Sequence, residues 1–79
     1  MNEVEKKRIS EDEIDLINTI IKARIESKLT QNELAKLTGI SQPNITRFEK
    51  KVHSASLSTT IKILEALGYK LKIEKKEKK

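Results

Sequence analysis

The sequence predicts an all-α domain of four to five short helices with one β-strand at its C-terminal end. Three observations carry that prediction. Four segments show apolar residues every three or four positions behind a Ser or Thr, glycines directly follow two of those segments, and after Gly68 the period changes to two. A chain of 79 residues, 35% of them hydrophobic, can fill one thin core, so a second subunit is an expected source of stability.

Ser10 and Glu13 have the form of a capping box, and behind them Ile14, Ile17, Ile21 and Ile25 recur on one helical face, widened by Leu16 and Ile20. The first helix is therefore expected over about Glu11 to Ser27, preceded by a flexible stretch at 1–9. Thr30 and Glu33 form a second capping box before Leu34, Ala35 and Leu37, with Gly39 after them, which predicts a helix over about 31–38. So short a helix is marginal alone and must be held by packing. Ile40 plugs the turn, and Ser41 caps a third helix over about 42–50. Pro43 fits inside its first turn, where the N–H it lacks has no intrahelical partner.

Ile45 and Phe48 supply the buried face of that third helix, opposite Gln42, Pro43, Thr46, Arg47 and Lys50. Residues 51–55 read as a polar linker. Ser56 caps a fourth helix with Leu57, Ile61, Leu64 and Leu67 as its core stripe, stopped by Gly68. Tyr69, Leu71 and Ile73 then alternate with Lys70, Lys72 and Glu74, the pattern of a half-buried strand over 69–74. No other strand is available in the sequence. The simplest partner is the same strand of a second subunit, which makes Tyr69, Leu71 and Ile73 the expected dimerisation residues. Residues 75–79 form a charged tail.

Composition narrows the function classes. There is no cysteine and one histidine, so no disulfide or metal cluster is expected, and no cofactor. Apolar runs fall far below the roughly 20 residues of a membrane span, which predicts a cytoplasmic chain with no membrane partner. Candidate nucleophiles are scattered with only His53 as a base, and neither a phosphate loop nor a zinc signature is present, so an enzyme is not expected. The formal charge is +5, and Lys and Arg predominate from residue 22 onward, which favours a polyanionic partner.

The stretch Leu29-Thr30-Gln31-Asn32-Glu33-Leu34-Ala35-Lys36-Leu37-Thr38-Gly39-Ile40-Ser41-Gln42-Pro43-Asn44-Ile45-Thr46-Arg47-Phe48-Glu49 holds two short helices around a Gly39-Ile40-Ser41 turn. It resembles the Cro and phage-repressor-like class of DNA-binding domains, the XRE family, and with the flanking helices the resemblance covers roughly residues 14–68. A lambda-repressor-like helix-turn-helix domain over 10–68 is implied. The spacing also has a steric reason: Ala35 must be small where the helices cross, Gly39 reverses the backbone, and Ile45 fills the wedge between them.

In that geometry the third helix enters the major groove of double-stranded DNA. Gln42 and Arg47 are the leading base readers, since glutamine pairs with adenine and arginine with guanine. Asn44, Thr46 and Pro43 are secondary candidates. Gln31, at a helix start, suits a phosphate, and the resemblance implies that it also braces Gln42. Ser41, Lys50, Lys51, His53 and Ser54 are further phosphate candidates. The resemblance also implies a structural ion pair between Arg24 and Glu49, for which the planar guanidinium of Arg24 is suited. The chain departs from the family where a glycine turn commonly follows the glutamate, carrying Lys50-Lys51-Val52 and Ser54-Ala55-Ser56 instead.

The ending Leu64-Glu65-Ala66-Leu67-Gly68-Tyr69-Lys70-Leu71-Lys72-Ile73 looks like that of HigA- and HipB-type antitoxins, which bind a toxin and repress their own operon. The expected function is thus a homodimeric, sequence-specific transcriptional repressor on an inverted-repeat operator, serving as an antitoxin with a cognate toxin. Two alternatives are a free-standing phage or mobile-element repressor, and a protein-interaction module that keeps the fold without operator recognition.

Overall fold

Ser10, Thr30, Ser41 and Ser56 each turn a side-chain oxygen onto the backbone N–H three residues ahead, at 3.1, 3.0, 3.3 and 3.0 Å, and so satisfy a donor that a helix start leaves open. These four caps begin the helices of the computed structural model, which describes residues 9–77: α1 (Glu11–Glu26), α2 (Gln31–Thr38), α3 (Gln42–Lys50) and α4 (Leu57–Ala66). The flexible stretch expected at 1–9 lies, apart from Ile9, outside the described residues, as do the last two positions of the charged tail.

One apolar cluster holds the four helices. Ile17 and Ile20 of α1, Leu34 and Ala35 of α2, Ile45 and Phe48 of α3, and Ile63 and Leu64 of α4 are buried together, with Ile40 of the turn packed against them. Burying an Ile or Leu side chain stabilises by roughly 1.5–3 kcal/mol. Helices of eight to ten residues persist through such contacts and not through propensity. Ala35 is buried, and Gly39 takes a left-handed φ of 78° that lets α3 fold back across α2.

The faces of the two outer helices are rotated from the sequence expectation. On α1 the buried line is Ile17, Ile20 and Ala23, whereas Ile25 is 58% exposed. On α4 it is Thr60, Ile63 and Leu64, whereas Leu57 is 66% exposed. A search for large apolar residues passes over Ala23 and Thr60. Thr60 can be buried because its hydroxyl donates to the Ser56 carbonyl at 3.1 Å, leaving its methyl group for the core.

The expected C-terminal strand is absent: residues 69–74 form no strand, and the fold among the described residues is four helices only. After α4, Gly68 at φ 88° donates to Glu65 at 3.0 Å and Tyr69 donates to Leu64 at 2.8 Å, a complete Schellman closure. The chain then runs outward, with Tyr69 and Leu71 about half exposed and Ile73 97% exposed. Alternation of side chains records which residues could share a face; a strand also needs a neighbouring backbone to complete its hydrogen bonds, and among the described residues none pairs with this segment. Leu71 borders an open depression with Leu16, Ala55 and Leu57.

The Ser10 capping box is half formed. Ser10 accepts from Glu13, but the Glu13 carboxylate turns away from the helix start and accepts from the Ser54 hydroxyl and the Ala55 N–H, both at 2.8 Å. It thereby anchors the α3–α4 loop to α1. Thr30 and Glu33, by contrast, make the full reciprocal box.

A single ion pair fixes α3 against α1. Arg24 Nε donates to Glu49 Oε2 at 2.7 Å and Nη2 to Oε1 at 3.0 Å, while Nη1 donates to the Leu29 carbonyl at 2.8 Å. The two side chains are only 13% and 8% exposed. Removing one partner leaves a charge stranded away from water. Arg24→Ala and Glu49→Ala are each expected to lower unfolding free energy by about 3 kcal/mol, and an apolar Arg24→Met/Glu49→Leu replacement by far less than the sum. Urea titration of the cycle decides it: a double variant as unstable as the two losses added together means the side chains do not depend on one another.

Lys28 closes α1 in the conformation normally given to glycine, with φ 61°, donating to Ile25 at 2.9 Å while Leu29 donates to Arg24 at 3.2 Å. A left-handed non-glycine residue costs roughly 1–2 kcal/mol, partly offset by the greater chain entropy that glycine loses on folding. Lys28→Gly is expected to raise stability by about 0.5–1 kcal/mol. A lower denaturation midpoint for that variant would refute the strain.

Candidate nucleic-acid interface

Three stripes run along α3. Ile45 and Phe48 point into the core. Gln42, Thr46 and Glu49, four and three residues apart, line the side that meets α2. Pro43, Arg47 and Lys50 stand on the remaining side and are exposed, as is Asn44 at its flank.

The middle stripe is a closed hydrogen-bonded set. Gln31 Nε2 donates to Glu49 Oε1 at 2.9 Å, so its own Oε1 faces the other way and accepts from the Thr46 hydroxyl at 2.7 Å and from Gln42 Nε2 at 3.2 Å. Gln42 Nε2 also lies 2.9 Å from Thr46 Oγ1, as donor. Arg24 holds the Glu49 end of the set in place. Thr46 is partly buried and its hydroxyl is occupied within the protein, while Gln42 is exposed at the rim.

On the other flank Asn44 and Arg47 border a groove of about 290 Å³ with His53 and Ser54 of the loop and the Ser56 and Thr59 end of α4, floored by Ile40 and Phe48. The structure thus brings two of the base-reading candidates beside two of the phosphate candidates. Ser54 reaches this groove with its hydroxyl already donating to Glu13, whereas Ser41 does not line it and its Oγ accepts from Asn44 N as the cap of α3.

Lys51 is not brought to this groove. It closes α3 at a left-handed φ of 57°, its Nζ donates to the Glu49 carbonyl at 3.3 Å, and it lines a separate depression with Ile9, Ile14 and Val52. Lys50 remains exposed. Sequence reasoning missed Glu13 as the residue that fixes the loop. Its only signal was an acid at the third helical position, which a capping box explains equally well. Among the described residues no group of His, Cys, Asp and Glu could hold a metal, and no helix is long and apolar enough to cross a membrane.

Comparison with known proteins places this geometry. The helix-turn-helix family model matches residues 20–73. An uncharacterized HTH-type transcriptional regulator of Haemophilus influenzae is 35% identical over 79 aligned residues, covering 91% of this chain and 81% of that protein. Antitoxin HipB of Escherichia coli is 42% identical over 52 residues, covering 66% of this chain and 55% of its own length. Antitoxin HigA1 of Mycobacterium tuberculosis is 34% identical over 58 residues, 73% of this chain and 39% of that one, so the chain spans about half or less of these two antitoxins. By name these relatives are a transcriptional regulator and two antitoxins. With α2 and α3 joined through the left-handed Gly39 and packed in one core, the chain belongs to the helix-turn-helix family, in its Cro- and phage-repressor-like XRE form, and resembles the HigA- and HipB-type regulators.

Proposed function

We propose that the protein is a sequence-specific DNA-binding repressor that works as a homodimer and is the antitoxin of a toxin–antitoxin pair, repressing its own operon. The observation that carries this reading is the exposed stripe of Pro43, Arg47 and Lys50 on a helix whose other two sides are fixed to the rest of the domain. The major groove admits one such helix, and a guanidinium on its open side matches the O6 and N7 acceptors of guanine. Gln42 at the rim addresses adenine, with Asn44 beside Arg47 and Pro43 against a thymine methyl group.

Phosphates on either side of the groove meet Lys50 and His53 and, at the start of α2, the second amide proton of Gln31. Two copies are held by the apolar surface that includes Tyr69, Leu71 and Ile73, exposed on every copy. Two-fold symmetry then sets the recognition helices about 34 Å apart on an inverted repeat. The antitoxin role is supported by the HipB and HigA1 likenesses. A free-standing regulator without a toxin is the second reading, favoured by the Haemophilus relative, which matches most of both chains.

Footprinting of the purified protein on its own promoter is expected to protect an inverted repeat, and copurification from its native operon to recover a second, toxin-sized chain. Lys50→Ala is expected to weaken all DNA sequences alike and to reduce the salt dependence of binding by about one counterion. Arg47→Ala is expected to lose discrimination at particular base pairs, by roughly 1–3 kcal/mol per pair. Equal losses on operator and random DNA for Arg47→Ala would remove it from base recognition.

A further inference from the structure

We propose that Glu49, a partly buried residue placed to touch no base, sets which base Gln42 reads. The inference rests on the DNA-binding reading above and concerns the direction in which each amide in the Glu49, Gln31, Gln42 set points.

A carboxylate only accepts hydrogen bonds, so Gln31 can meet Glu49 only through Nε2. That fixes Gln31 Oε1 toward α3, where an oxygen accepts and can be approached only by donors. The Thr46 hydroxyl supplies one donor. Gln42 must supply the other through Nε2 and so turns its own Oε1 away from the domain. Arg24 begins the sequence by holding both oxygens of Glu49.

Gln42 Nε2, Gln31 Oε1 and Thr46 Oγ1 form a triangle with sides of 3.2, 2.9 and 2.7 Å. A nearly equilateral triangle subtends about half the angle between the two N–H bonds of a planar amide, so one proton enters the triangle and is shared there. The other proton and Oε1 remain on the exposed edge. One donor beside one acceptor complements the N7 and N6 amine of adenine. With the amide reversed, Oε1 would accept from Thr46 and only N–H donors would face outward, which suits the acceptor-only O6 and N7 edge of guanine and gives the N6 amine of adenine nothing to donate to. Glu49 thereby selects adenine over guanine at the base pair facing Gln42, through Gln31 and without contact. It is a positioning residue.

The test uses the full-length protein and a random-sequence DNA pool. Selections with wild type and Gln42→Ala identify the base pair whose preference depends on Gln42, and affinities are then measured with adenine or guanine there. Wild type is expected to favour adenine by about 10-fold. Glu49→Gln, which can present either a donor or an acceptor to Gln31, is expected to bring that ratio to about 2-fold or less while affinity for random DNA falls far less than affinity for the adenine site. Gln31→Leu breaks the connection while leaving Arg24 and Glu49 paired, and serves where Glu49→Gln folds poorly; it is expected to lower the ratio in the same way.

If both variants keep the wild-type ratio, or lose operator and random DNA in equal proportion, Glu49 is purely structural and the proposal is overturned. A Gln42-dependent preference for any base other than adenine overturns it as well. Failure of the wild-type protein to enrich any sequence removes the DNA-binding reading itself, an outcome distinct from those two and equally fatal to the inference.

Discussion

The Arg24 and Glu49 pair is the constraint on which the rest of the arrangement depends. From the last turn of α1, its three guanidinium bonds reach the α1–α2 loop at Leu29 once and Glu49 near the end of α3 twice. Charges so far removed from water are costly, and the geometry must return that cost through short, bidentate, fully used hydrogen bonds. It does so, since no buried side-chain polar atom among the described residues lacks a partner. An apolar pair would hold the helices together as well, but it would give Gln31 no acceptor and so no defined direction.

The short connections carry the second part of the geometry. Gly39 and Gly68 take left-handed conformations at no steric cost, but Lys28 and Lys51 take them against the ordinary preference of a side chain. Lys51 closes α3, and the loop that follows is held by Glu13 from α1. The α3–α4 loop is thus determined by a long-range carboxylate and not by its own turn chemistry. That carboxylate keeps His53 and Ser54 beside Arg47.

Much of this was legible in the residues. The four Ser and Thr caps, the Gly39 reversal and the Ile45 and Phe48 anchor each follow from local rules, and local rules place α1 to α4 within a residue or so of their observed bounds. Orientation was less legible. Thr60 and Ala23 are buried where a hydrophobic pattern gives no weight to a hydroxyl satisfied by its own helix or to a small side chain. The C-terminal segment misled for a different reason: period alone reports side-chain alternation, whereas a strand requires a second backbone that the sequence could only suppose. Glu13 illustrates the same limit at the loop, because its partner lies 42 residues away at Ala55.

The candidate site was legible as a list and not as an arrangement. Helical spacing places Gln42, Thr46, Arg47 and Lys50 opposite the core, which treats them as one face. Packing against α2 divides that face: Thr46 and the inner edge of Gln42 belong to the hydrogen-bonded set with Gln31, while Arg47 and Lys50 remain exposed. The division matters because a side chain held on two sides loses little freedom when it meets a base, whereas an exposed lysine or arginine must be ordered at that moment. The fixed glutamine edge therefore meets its base at little ordering cost, whereas Arg47 must be ordered as it reads one and Lys50 as it meets a phosphate. The boundary between the two is drawn by α2, a helix of eight residues whose place is set by Leu34 and Ala35 in the core and by Glu49 at its first residue.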